Sequence, residues 1–366
     1  MVKSQFQQKI TAEIEAEKLR DLRVQMNARD PSCRIRQAFT LGDEFSRAFI
    51  ASIPTKQRFI KDCEYHDVWH TWAGLPNEIF ANCVGKPINP RSRSQSKIVG
   101  KYADELCSTN LGHFMTEKHD HIKWSFFQLM KDSSYAAQCE PTGLFRQFAQ
   151  TNSDTHVAQN TIRKREIIQP DFLIGDSTQH LGDIKTLSYT PSNYRGSFGT
   201  VCGKAVSSRA ARVHKDMHRS AMEADRKWNN TQSGETGPIA DRLKQYGPIK
   251  GYVFGYLGEA SQDVRDEINA MAVCGAKNLW RGMGLSNWQD AHSILQDRYT
   301  KLMGIAAVRA IARMRFRVWG HIFSNDRITR CSSTAENDRR HLEARLTCWD
   351  SHRPSLQGTL RNLRFS

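Results

Sequence analysis

No run of about 18 apolar residues occurs anywhere in this chain, so nothing in it reads as a membrane span. Its first residues, MVKSQFQQK, lack the apolar stretch of a signal peptide. The expectation is an intracellular protein of the cytoplasm or nucleus, not a secreted one. No Cys-x-x-Cys pair exists among the nine cysteines, and their odd number and scattered spacing do not make a disulfide framework or a zinc ribbon. They read as reduced thiols. A phosphate-cradling G-x-x-x-x-G-K-[ST] is missing, which speaks against ATP hydrolysis, and G-x-S-x-G is missing too.

Acidic residues are in the minority. There are 38 Asp and Glu against 53 Lys and Arg, a net charge of +15 on 366 residues. Lysines and arginines that neutralise phosphates release condensed counterions, so a polyanion is the expected partner, with nucleic acid the obvious one. The excess is uneven. Residues 281–366 hold 15 Arg and Lys against 7 Asp and Glu, a net of +8.

The acids that are present include a pattern with definite chemistry. Glu166 to Ile174 reads as a strand carrying Pro170-Asp171, Gly175-Asp176-Ser177-Thr178 as a turn, and Gln179 to Leu187 as a second strand carrying Asp183-Ile184-Lys185. Such a hairpin brings Asp171 and Asp183 together although twelve positions separate them. Side chains alternate along a strand, so Asp183 and Lys185 share a face while Ile184 turns into the core and leaves its carbonyl beside the carboxylates. Mg²⁺ takes carboxylate, carbonyl and water oxygens, offsets charge on a phosphoryl group and acidifies the attacking water. Lys185 would orient or deprotonate that water, or neutralise phosphate charge. The pattern suggests a metal-dependent nuclease, although a basic domain whose Asp183 and Lys185 form a solvated face would carry the same string.

Around the hairpin, Glu117 to Lys131 has helical apolar spacing and Tyr135 to Glu140 is strand-like. Lys204 to Trp228 reads as a long helix and Ile249 to Leu257 as a strand. Ser261 is placed to cap a further helix whose Val264, Ile268, Met271 and Ala272 should face the sheet. The order helix, three strands, helix, strand, with Pro170-Asp171 and Asp183-x-Lys185 on the second and third strands, resembles the PD-(D/E)xK, or restriction-endonuclease-like, nuclease superfamily over roughly residues 115–275. The run His119-Asp120, Glu140-Pro141, Pro170-Asp171, Asp183-x-Lys185 is also similar to nuclease domains of viruses and mobile elements. The resemblance implies an α/β fold with an αβββαβ core and a mixed sheet, flanked by helical N- and C-terminal regions. It implies Asp171 and Asp183 as metal ligands with the Ile184 carbonyl, Lys185 as the catalytic lysine, and Mg²⁺, or Mn²⁺ in its place, as cofactor. On the first helix the family places an acid or a histidine; Glu117, His119, Asp120 and His121 are the choices here. The function implied is a DNA endonuclease leaving a 5′-phosphate. The alternative is a non-catalytic nucleic-acid-binding or packaging protein, and the pattern leaves oligomeric state open, a dimer included.

The chain thus divides into a helical N-terminal region (1–114), the nuclease core (115–280) and a basic, helical, partly disordered C-terminal region (281–366). In the first, Asn89 to Ser96 reads as a linker, and Cys63-x-x-His66-x-x-x-His70, with Cys83 as fourth ligand, has zinc spacing that a plain histidine pair also explains. For nucleic acid the candidates are Arg195 in the loop Ser188 to Gly203, Arg209 and Arg212 on the long helix, and Arg309, Arg313 and Arg317, a stripe four apart along Gly304 to Phe323. Truncation after Trp280 is expected to weaken binding and spare cleavage.

Overall fold

The computed structural model describes residues 43–52, 60–73, 75–88, 97–108, 111, 114–149, 168–175, 178–190 and 204–329, residues 324–329 by backbone alone, with six helical positions between 13 and 24. Helices α1 (Ala48–Ala51), α2 (Asp62–Ala73) and α3 (Phe114–Asp132) precede strands β1 (Ala137–Cys139), β2 (Phe172–Ile174) and β3 (His180–Thr186). Then come α4 (Lys204–Asn229), α5 (Pro238–Lys244), β4 (Lys250–Phe254), α6 (Gln262–Leu279) and the 42-residue α7 (Trp288–Thr329). Among the described residues no helix is long and apolar enough to cross a membrane.

The strands form one open mixed sheet in the order β1-β2-β3-β4. β1/β2 and β2/β3 pair antiparallel, whereas β3/β4 pair parallel, with Asp183 opposite Gly251 and Lys185 opposite Val253. A parallel pair needs a crossover, and α4 with α5 supplies it. The molecule is mixed α/β, and its described elements follow the order read from the sequence. Bounds differ modestly: the described second strand begins only after Asp171, and the fourth ends at Phe254 rather than running on to Leu257. Gly175 (φ 101) makes the turn after β2, where a Cβ would lie 2.3 Å from the Thr178 carbonyl oxygen.

Alternation along β3 sorts its side chains between two layers. Ile184 packs with Phe172, Ile174 and Tyr252 against Ile122 and Phe126 of α3, Val264, Ile268, Met271 and Ala272 of α6, and Met303 and Ala307 of α7. Leu181 turns the other way, onto Val213 and Ala221 of α4 and Ile239 and Leu243 of α5. Asp183 and Lys185 share the Leu181 face by strand periodicity. α4 crosses β4 at backbone distance there: a Cβ on Gly251 would come within 2.7 Å of the Ala210 Cα. At the start of α6 Ser261 makes no side-chain cap. Its hydroxyl instead donates to the Gly251 carbonyl (2.8 Å) and accepts from the Val253 N–H (3.1 Å), tying β4 to the helix start.

Packing runs across both boundaries drawn from the sequence. α7 contributes Leu295, Tyr299, Met303 and Ala307 to the central core, Ile305, Val308 and Ala312 to a cluster with Phe49 and Val68, and Phe316, Val318 and Trp319 to one with Phe80 and Leu106. It is a spine rather than an accessory arm. A helix surrounded by other elements is apolar on nearly all sides. Its arginines are correspondingly engaged: Arg309 and Arg313 meet the fully buried Glu64 of α2 (3.3 and 2.9 Å), and Arg317 meets Glu117 (3.2 Å). The stripe of Arg309, Arg313 and Arg317 thus faces carboxylates of this chain, the last of them at the surface. Asn89 to Ser96 and the tail beyond 329 lie outside the described residues.

Candidate active site

The β2/β3 hairpin sets Asp171 and Asp183 side by side. Asp171 ends the segment entering β2, and its Oδ2 accepts the Ile184 N–H at 2.7 Å, which locks the carboxylate against β3. Asp183 projects from β3 beside the Asp171 carboxyl and meets the Lys185 Nζ at 2.5 Å. Both carboxylates are buried, at 8% and 5% exposure, whereas the Lys185 side chain is about a third exposed. Two adjacent buried carboxylates cannot both ionise freely. Burial raises Asp183, with Lys185 opposing and the Asp171 charge adding to the rise. For Asp171, burial is outweighed by the His119 hydrogen bond and charge and by the Ile184 N–H, so its carboxyl is held below the usual range.

Of the first-helix choices, α3 brings His119 to the pair. Its Nε2 lies 3.1 Å from Asp171 Oδ2 and 3.2 Å from the Ile184 carbonyl oxygen, and its Nδ1 lies 3.3 Å from Asp120 Oδ1. Both ring nitrogens face acceptors, the arrangement of a doubly donating imidazolium. Burial works to lower the His119 pKa, but Asp171 and Asp120 prevail and raise it. Asp120 therefore touches Asp171 only through His119. Glu117 is turned away to Arg317, and His121 packs under Arg313 (3.4 Å), its pKa pushed down to about 3 by burial and the Arg313 and Arg309 charges.

A lysine that no sequence motif singles out joins the group. Lys123, one turn beyond His119, is 4% exposed and donates to Asp120 Oδ1 at 2.8 Å and to Glu140 Oε1 at the end of β1. In the sequence Glu140 stands out only through the Glu140-Pro141 run. The i,i+3 spacing of Asp120 and Lys123 is visible in the string, but the partnership with Glu140 needs the fold.

Among the described residues no group of three or more His, Cys, Asp or Glu side chains is disposed to hold a metal ion by itself. Asp171, Asp183 and the Ile184 carbonyl are an all-oxygen set with two carboxylates. Mg²⁺ commonly takes one or two carboxylates and keeps several waters, so this donor set fits it and does not fit the closed nitrogen and sulfur shell of structural zinc. The zinc spacing in α2 leads elsewhere: the His66 and His70 rings stack at 4.1 Å between centroids, His70 Nδ1 lies 2.9 Å from the Pro76 carbonyl oxygen, and Cys83 is buried with Phe80 and Ile88.

The remaining described candidates are on α4, which passes β4 at Gly251, the residue opposite Asp183. Arg209 is drawn to Asp216 at 2.5 Å, while Arg212 and Lys215 are exposed on α4. Arg195 lies outside the described residues. No family model matches the chain, and no curated protein is detectably similar to it.

Proposed function

We propose that the protein is a divalent-metal-dependent nuclease on a restriction-endonuclease-like αβββαβ core, cutting internal phosphodiester bonds of DNA. The observation that carries the reading is the buried carboxylate pair, Asp171 and Asp183, set side by side where β2 meets β3. Placing two carboxylates in contact works against folding unless a cation or a chemical task uses them. Strand order and the His119 position relative to the pair support the same reading.

Asp171, Asp183 and the Ile184 carbonyl would hold Mg²⁺, or Mn²⁺ in its place. The bound ion would offset negative charge on the phosphoryl oxygens and lower the pKa of the attacking water. His119 and the Ile184 N–H both fix the Asp171 carboxylate through Oδ2. Lys185 shares the Asp183 face and is more exposed than either carboxylate, which suits it to orient or deprotonate the water and to meet phosphate charge. Exposed Arg212 and Lys215 on α4 suit the nucleic-acid backbone.

Incubation of the purified protein with circular and linear DNA and RNA, with and without Mg²⁺, tests the proposal. Mg²⁺-dependent nicking of circular DNA that is lost in Asp183→Asn is expected. Tight nucleic-acid binding without cleavage under any divalent ion would leave the binding or packaging alternative in its place.

A further inference from the structure

Lys123 is buried where lysines usually are not. A lysine on a helix normally extends its ammonium outward into water. Here the side chain is 4% exposed although Asp120 and Glu140, its partners, are 39% and 43% exposed. The ammonium is thus the inner member of the group and the carboxylates the outer ones.

Both partners lead to Asp171. Asp120 Oδ1 accepts from Lys123 Nζ at 2.8 Å and also faces His119 Nδ1 at 3.3 Å, while His119 Nε2 lies 3.1 Å from Asp171 Oδ2. That route ends on the Asp171 side chain. Glu140 leaves β1 in the left-handed region (φ 49), a strained backbone for a residue with a Cβ, and its N–H donates to the Asp171 carbonyl oxygen at 2.8 Å. The second route ends on the Asp171 main chain, with Lys123 holding the Glu140 carboxylate and the Asp171 carbonyl holding its amide.

We propose that Lys123 is a positioning residue that fixes Asp171 from two directions, through Asp120 and His119 to its carboxylate and through Glu140 to its backbone. The inference rests on the reading of Asp171 and Asp183 as metal ligands. Lys123 also offsets two outer carboxylates that would otherwise add to the negative charge beside the Asp171 and Asp183 pair. Groups of this kind, one step removed from a ligand, typically change metal affinity or activity by about 10- to 100-fold when removed.

The test is Mn²⁺ titration of the full chain, followed by electron paramagnetic resonance without nucleic acid, on wild type, Lys123→Ala, Asp120→Asn, Glu140→Gln and Asp183→Asn. Lys123→Ala should weaken Mn²⁺ binding by about 10- to 100-fold while unfolding cooperatively, and propylammonium, which replaces the missing ammonium, should recover part of the loss. With saturating metal, kcat should fall while KM for DNA holds. Wild-type Mn²⁺ affinity in Lys123→Ala, beside lost binding in Asp183→Asn, overturns the proposal, and so does a loss that propylammonium does not relieve. Should Lys123→Ala not fold, Asp120→Asn and Glu140→Gln each remove one route at a half-exposed carboxylate. Wild-type affinity in both overturns it equally. If Asp183→Asn itself binds Mn²⁺ as tightly as wild type, the metal reading fails and the role of Lys123 falls with it.

Discussion

Two regions of this protein bury charge, and they do so in opposite ways. Between α2 and α7 each buried acid meets arginine: Glu64 is held by Arg309 and Arg313, and Asp67 by Arg315 at 3.1 Å. Arg315, itself fully buried, also donates to Thr71, to the Tyr256 hydroxyl (3.2 Å) and to the Tyr102 carbonyl (2.8 Å). At the sheet, by contrast, Asp120, Glu140, Asp171 and Asp183 share Lys123, Lys185 and His119, and Asp171 and Asp183 are buried side by side. The first cluster sets an arginine against each acid, although burial still raises Asp67 to about 6. Adjacent buried acids call for a proton or a cation, and on that difference the proposed site rests.

The largest effect should come from deleting α7. Truncation after Trp280 takes away Arg309, Arg313 and Arg315, leaving Glu64 and Asp67 buried without them, and strips Met303, Val308 and Phe316 from three clusters. Breaking even one buried pair costs about 3–5 kcal/mol, against a whole stability of about 5–15 kcal/mol. The truncated chain is therefore expected to lose cooperative unfolding in circular dichroism, which replaces the expectation that it would retain cleavage. A truncated protein that still cuts DNA would return α7 to accessory status.

At the unmatched cluster, a substitution should separate activity from stability. Asp183→Asn removes the charge beside Asp171, so cleavage should fall by about 10²–10³-fold or more, while thermal stability holds or rises. Loss of both together would make the carboxylate pair part of the scaffold and erase the contrast. For the matched cluster the pattern inverts. Arg315→Leu leaves Asp67 buried and unpaired, and the expected loss is about 3–5 kcal/mol by denaturant unfolding, with kcat little changed where the protein remains folded.

A third cluster extends the comparison. Glu267 on α6 is fully buried and accepts from Tyr252 at 2.7 Å and Lys250 at 2.8 Å, with His180 Nε2 at 3.3 Å. Burial alone would raise its pKa, but these partners hold it at about 2, below the ordinary 4.5. A depressed acid stabilises the fold above its unfolded pKa and loses that contribution as pH falls through the folded one. Wild type should thus exceed Glu267→Gln in stability at neutral pH, and the gap should narrow from about pH 4.5 down toward 2. A gap that stays constant through that window would mean Glu267 is not acting as a charged, matched member.

How much of this was legible follows from how local each feature is. The hairpin and the sharing of a face by Asp183 and Lys185 are carried by alternation over a few residues, and so is the core role of Ile184. Val264, Ile268, Met271 and Ala272 were readable from helical spacing for the same reason. The clamp made by Lys123 was hidden because Glu140 reaches it across a strand end with a positive φ that no local pattern announces. The partners of the α7 arginines were hidden because spacing four apart describes one helix, whereas Glu64, which meets two of them, sits 245 positions before Arg309 in the sequence. Periodicity reports which residues share a face. It does not report what the face meets.

The same distinction sets the smallest effect, on nucleic-acid affinity. Arg212 and Lys215 lie exposed on α4, so each can neutralise a phosphate without leaving a buried partner. Replacing both by Gln should lower the slope of log affinity against log salt by about 0.9 for each phosphate left without its cation, with little change in melting temperature. Arg309→Gln should do the reverse: it weakens the pairing of Glu64, lowering the melting temperature, but its charge already faces a carboxylate, so the salt slope should stay where it is. Anisotropy titrations of labelled duplex over a salt series, run on Asp183→Asn to suppress cleavage, would measure both. An unchanged slope in the α4 double variant, or a reduced one in Arg309→Gln, would place the phosphate track on α7 after all and dissolve the division between arginines that hold the fold and arginines that remain for a partner.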